Sequence, residues 1–184
     1  SLRLSRGARV ALFLVVGAAA LAAGLLFNPG QRMVPGEVKP GVQAASLIEA
    51  TLPGVDGKPQ RLDQWKGKVL VVNFWATWCG PCRVQHPMYE ELKQHYKGRT
   101  DVEFLALDTD EDRDLVVPFL NEQKWDKANI YFDDGMSRLM QVSQIPTTIL
   151  FNKSGRLSSR MNGFTTENFV QYMIERIDAA LKEQ

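Results

Sequence analysis

Cys79 and Cys82 are the only cysteines in the 184 residues of the chain, with Gly80 and Pro81 between them. A pair this close cannot staple distant parts of a fold. Closing so small a loop removes little unfolded-state entropy, so the bond would add little stability. If the pair matters, it matters for chemistry. The thiolate is the nucleophile of disulfide exchange, and the free N–H groups and macrodipole at a helix N-terminus stabilise negative charge. The pair sits in Trp75-Ala76-Thr77-Trp78-Cys79-Gly80-Pro81-Cys82-Arg83, between a strand-like run and a helix-like one. Cys79, just before the helix, is expected to be the solvent-open attacking thiol. Cys82, one turn in, is expected to be less accessible and to resolve the mixed disulfide. Pro81 suits the first turn, where its missing N–H costs nothing.

Other readings of the same residues exist. A static structural disulfide is one, although the strand-to-helix position and the tryptophan neighbours speak against it. Cys79, Cys82 and His86 could offer three ligands to a metal, transient copper above all. A closed zinc site wants four ligands and no second Cys-x-x-Cys exists, so no metal is expected. His86 and His95 read more simply as helix-surface residues. Trp75 reads as core, Trp78 as the border of an apolar docking rim.

A second motif is Gln144-Ile145-Pro146-Thr147-Thr148, directly before a strand. Pro146 is expected to be cis and packed against the cysteines. The backbone of Ile145 would then be offered to an extended substrate segment by strand addition.

These residues need a scaffold. Ser46 to Leu52 and Gln60 to Leu62, flanking Pro53 to Pro59, read as an antiparallel hairpin. Val69 to Phe74 is a β-branched run suited to a strand buried on both faces. A helix is expected from Pro81 to Tyr96, kinked at Pro87, with Val84, Met88, Leu92 and Tyr96 inward. Val102 to Leu107 is the next strand. Asp114 to Lys124 is helical by pattern, starting late or bending at Pro118, with Leu115, Phe119 and Leu120 inward. Ile130 to Phe132 reads as a strand and Gly135 to Val142 as a short helix. Thr147 to Phe151 and Arg156 to Met161 form a hairpin around Asn152-Lys153-Ser154-Gly155. A last helix, Thr166 to Leu181, is capped by Thr165 or Thr166 and buries Phe169, Met173, Ile177 and Leu181. Alternating β and α elements followed by a hairpin and helix make an α/β fold: a central mixed sheet flanked by helices.

The N-terminal stretch is different. Val10 to Phe27 has no charged side chain and comes after Arg3, Arg6 and Arg9. As a helix it would rise roughly 27 Å, close to a hydrocarbon core. Either a transmembrane anchor or a cleaved signal segment fits; the anchor is favoured because apolar residues continue past a candidate cleavage site at Ala20-Leu21-Ala22. The positive-inside rule keeps 1–9 in the cytoplasm and exports the residues after Phe27. Residues 28–45, broken by prolines and glycines, read as a linker, and 46–184 as the folded domain. A formal net charge of +1 argues against a nucleic-acid partner.

FWATWCGPCR, with IPTTILFNKSGR more than sixty residues later, resembles the thioredoxin superfamily in its TlpA/ResA-like branch. The lead-in GKPQRLDQWKGKVLVVNFWATWCGPC is similar to that branch throughout. The resemblance implies a thioredoxin fold with an N-terminal hairpin and a strand–helix insertion between Asp108 and Ile130. It implies a membrane-tethered or periplasmic thiol–disulfide oxidoreductase of the bacterial inner membrane, without cofactor, expected to be a monomer. Substrates would be protein disulfides, including cysteines of cytochrome c or of the copper site of cytochrome oxidase, and electrons would come from a membrane donor of DsbD/CcdA type. Cys79, Cys82 and Pro146 inherit the roles of nucleophile, resolving thiol and cis proline, with Trp78, Gly80, Pro81, Ile145 and Thr147 supporting. Asn73 stands where thioredoxin has a buried aspartate, and Gln85 where many ResA-like members have glutamate. Fewer negative charges would let Cys79 ionise more readily; the proton of Cys82 then needs another acceptor, for which Glu103 and Asp108 are candidates. The Gly-Pro dipeptide resembles thioredoxin's and suggests a reducing potential nearer about −270 mV than about −120 mV. The other readings are an oxidase or isomerase using the same pair, and a copper chaperone or docking module. A peroxidase is excluded because no further cysteine exists.

Overall fold

A computed structural model of the chain describes residues 50–183. The expected stub, membrane segment and linker at 1–45, and the start of the hairpin at 46–49, lie outside the described residues. Among those described, no helix is long and apolar enough to cross a membrane.

A small hairpin, β1 (Thr51–Pro53) and β2 (Pro59–Arg61), comes first, with Thr51 opposite Arg61. A 3-10 turn, Leu62–Trp65, leads to β3 (Val69–Trp75), then α1 (Gly80–His95) and β4 (Val102–Asp108). A second 3-10 turn at Arg113–Leu115 precedes α2 (Val116–Gln123) and β5 (Ile130–Phe132). The chain ends with α3 (Met136–Leu139), β6 (Thr147–Phe151), β7 (Leu157–Asn162) and α4 (Phe169–Lys182). The main sheet has the order β5-β4-β3-β6-β7. β3 is parallel to β4 and antiparallel to β6. The mixed sheet and its closing hairpin are as the pattern predicts.

β3 lies centrally because its run VLVVNFW has apolar side chains on both faces. Val72 and Phe74 face one core with Leu105, Trp65 and Met140; Val69 and Val71 face another with Leu92, Phe104 and Ile177. Tyr89 ties α1 to the sheet, its hydroxyl donating to the carbonyls of Val71 (3.0 Å) and Leu105 (3.1 Å). Tyr96 ties α1 to α4 by donating to Asp178 Oδ1 at 2.9 Å.

Three details differ from expectation. The inner stripe of α1 is Cys82, Gln85, Tyr89 and Leu92, whereas Val84 is exposed. Steps of four residues advance 400°, so a strict i+4 series drifts off the face, while alternating steps of three and four stay on it. Leu115 is exposed, because the α-helical turn begins at Val116, whose side chain is buried instead. α4 starts at Phe169, and its N-cap, Asn168, makes no side-chain cap bond. Thr165, one of the expected caps, donates its hydroxyl to the carbonyl of Glu167, a local bond that competes with capping.

Candidate active site

β3 delivers the cysteines to its C-terminal end, and α1 begins there. Cys79 is the N-cap of α1, with φ −79° and ψ 99°; its sulfur accepts from the backbone N–H of Cys82 at 3.1 Å. Pro81 occupies the first turn, as expected. The cysteines are joined in a disulfide, Cα to Cα 5.2 Å. Gly80 lies between them with open space where a Cβ would stand.

Cys82 is covered, as expected, whereas the expectation of an open Cys79 is corrected for the disulfide state. Both are 3 % exposed in the disulfide state, packed with Trp75, Val116 and Leu120. What separates them is the amide N–H aimed at the first sulfur. In the reduced pair an N–H in that position would favour a thiolate at Cys79, with no matching donor at Cys82 among the described residues.

The Ile145–Pro146 bond is cis. Ile145 packs against the cluster that holds both cysteines. Thr147 is fully buried and donates its hydroxyl to the carbonyl of Gln144 at 2.7 Å, closing the turn around the proline. Gly163 N–H donates to the Pro146 carbonyl at 2.7 Å. Trp78 stands 69 % exposed beside Cys79, with Val84 exposed on α1. Trp75 is buried, against Phe119 and Trp125. The two sequence motifs therefore meet, bordered by an exposed indole.

Asn73 is buried and accepts from the Thr148 hydroxyl at 3.2 Å. Gln85 is wholly buried, and neither amide atom has a hydrogen-bond partner. The two proton-acceptor candidates part company. Glu103 pairs with Leu70 across the sheet, five residues before the end that carries the cysteines, and bonds Lys68 and Asn129; it is not at the site. Asp108 pairs with Trp75. Its Oδ1 accepts from the Asp110 N–H, its Oδ2 has no partner, and its carboxyl is pushed up to about 8, first by burial and then by Asp110.

Sequence reasoning missed Asp110 and Trp125. Asp110 accepts from both the N–H (2.7 Å) and the hydroxyl (2.8 Å) of Thr77, and so pins the loop that leads into Cys79. The acidic run after β4 gives no sign of that grip. Trp125 stacks on His86, centroids 3.5 Å apart and planes 11° apart. His86, read as a surface residue and as a possible third metal ligand, is a half-buried ring on an indole face. Burial pushes its pKa down, although Glu90 pulls the other way.

The sequence profile of the Redoxin family matches residues 39–181. The chain belongs to that family. A protein named thiol-disulfide oxidoreductase ResA, from Bacillus thuringiensis subsp. konkukian (strain 97-27), is 32 % identical over 139 residues, 74 % of this chain and 78 % of that one. The thiol:disulfide interchange protein HelX of Rhodobacter capsulatus is 32 % identical over 111 residues, 59 % of this chain and 60 % of that one. Among solved structures, a Chlorobium tepidum protein assigned as thiol:disulfide interchange protein DsbE superposes with a TM-score of 0.65 at 28 % identity, covering 73 % of this chain and 94 % of that one. The ResA-like resemblance carried by the two motifs is borne out.

Proposed function

We propose that this chain is a thiol–disulfide oxidoreductase of the ResA/DsbE type that reduces protein disulfides through Cys79 and Cys82. One observation carries the reading: the nucleophile's sulfur caps α1 and accepts the Cys82 N–H at 3.1 Å. Family membership and the relatives' names support the same activity. In the cycle, Cys79 thiolate attacks one sulfur of the substrate disulfide, and the other leaves as a thiolate. Cys82, once deprotonated, attacks Cys79 Sγ. The second substrate thiol leaves, and two electrons have passed from the pair, which ends as the observed disulfide. The exposed Trp78 and the turn at Ile145–Pro146 offer the substrate an apolar edge and a short extended backbone. We assign residues 10–27 to tethering the domain, as a monomer, outside the cytoplasm of a bacterial inner membrane. There a membrane dithiol donor of DsbD/CcdA type would regenerate it, and cytochrome maturation is the pathway we favour.

Trapping tests this. Cys82→Ala in the full chain leaves Cys79 as the sole thiol and removes the resolving step. A stable mixed disulfide should accumulate on Cys79, be released by reductant, and identify the substrate by mass spectrometry. Absence of any adduct on Cys82→Ala, with protein disulfides present in excess, overturns the reading.

A further inference from the structure

A cavity of about 30 Å³ lies against Cys82; it is lined by Cys82, Asn73, Tyr89, His86, Trp125 and Glu90 among others. That is room for a water molecule or two. His86 is four residues beyond Cys82 in α1, so the two side chains share a helix face. The His86 ring lies flat on Trp125, which itself packs into the cluster containing Cys82. It is half-buried and lines the cavity. The acidic cleft that contains Asp108 is a separate space, lined by Asp110, Asp133 and Arg138 and not by Cys82.

We propose that His86 is the group that takes the proton from Cys82 when Cys82 resolves the mixed disulfide. The inference rests on the Cys79/Cys82 exchange reading above. The Cys82 S–H proton passes to a ring nitrogen of His86, directly or across one water in the cavity. The thiolate attacks Cys79 Sγ, the Cys79–substrate bond breaks, and the substrate sulfur departs as a thiolate. The imidazolium, only partly buried, then gives its proton to solvent. Burial favours the neutral imidazole, the form able to accept. The charged groups facing it are Glu90 and Lys93 on α1 and Asp126 after α2, all around the same cavity. Glu90 and Lys93 oppose each other in their effect on the ring. Trp125 acts as a positioning residue that holds the ring plane.

The two steps can be watched separately. Reduced full-length chain mixed rapidly with an aromatic disulfide, 5,5′-dithiobis(2-nitrobenzoate), releases one nitrothiobenzoate when Cys79 is captured and a second when Cys82 resolves. His86→Phe keeps an aromatic ring on Trp125 and removes the acceptor. The first release should stay within twofold. The second should slow by about 100-fold at neutral pH, the typical worth of a positioned base, and its pH profile should move upward toward an unassisted thiol. In His86→Ala, added imidazole should restore part of the second rate. Second-release kinetics with an unchanged rate and pH profile in His86→Phe overturn the proposal, as does equal slowing of both releases. If wild type shows no first release at all, the exchange reading fails instead, so the two failures are distinct.

Discussion

Two buried carboxamides, Asn152 and Gln85, live by opposite rules. Asn152, 2 % exposed, sits just past β6 at the end of the sheet far from the cysteines. Its Oδ1 accepts from Ser154 N–H, the Ser154 hydroxyl and Arg156 N–H, and its Nδ2 donates to Glu183 at 3.0 Å. Gln85, 0 % exposed and one turn beyond Cys82, makes no hydrogen bond with either amide atom. The contrast extends to the neighbours. Among the described residues, the orphaned buried side-chain atoms belong to Trp75, Gln85 and Asp108, all toward the cysteine end. Each such orphan costs on the order of 1–3 kcal/mol. One end of this sheet is built for stability. The other, which carries the cysteine pair, leaves buried polar groups unpaired, and functional ends of a fold are the usual place for local rules to be broken.

The largest test of that division is electrostatic. Asp108 is pushed up to about 8, while an unfolded aspartate ionises near about 3.9. Between those values the folded chain keeps a proton that the unfolded chain gives up. Stability therefore falls as pH rises through this window, by up to about 1.4 kcal/mol per pH unit from this one group. Asp108→Asn should flatten that slope, read from urea midpoints of the oxidised protein between about pH 4 and pH 8. The slope, not the absolute stability, is the readout, since an asparagine there brings its own buried amide. A variant with the wild-type slope would remove Asp108 from the strained end.

A matched pair of leucine substitutions sharpens the contrast. Asn152→Leu strands two backbone N–H groups and should cost about 3 kcal/mol. Gln85→Leu removes two orphaned groups while keeping apolar volume, and should be neutral or stabilise by about 1 kcal/mol. Urea unfolding of both variants decides it. Equal losses at the two positions would mean that Gln85 is satisfied in solution and that the contrast is false.

Much of this was legible in the chain itself. The parallel pairing of β3 with β4 and the closing hairpin follow from where the apolar runs and turn residues fall, and the approach of Ile145, beside the cis proline, to the cysteine cluster comes from two motifs that both sit at strand ends. The burial of Gln85 was not legible, because a polar side chain in an inward position contradicts the pattern by which inward positions are found. It emerges only once Cys82, Tyr89 and Leu92 define the face. The grip of Asp110 on Thr77 and the stack of His86 on Trp125 join residues 33 and 39 positions apart in the chain. A single sequence carries no periodicity for such contacts. The shielding of Cys79 escaped for a similar reason: helix-start geometry predicts which sulfur is activated, not what packs over the oxidised pair.

The smallest expected effect lies at the stable end. Glu103 holds Lys68 at 3.0 Å and accepts from Asn129 at 2.8 Å, with both members of the ion pair partly open to water. Glu103→Gln keeps an acceptor for Asn129 and removes the partner charge of Lys68, so the loss should stay within about 1 kcal/mol. Along β4, Glu103 is five residues from Asp108, roughly 17 Å, beyond the screening length of about 8 Å at physiological salt. The pH dependence of Cys79 alkylation in the reduced protein should therefore not move. If it does move, charge at that end reaches the sulfurs through the sheet, and the two ends cannot be treated as separate designs.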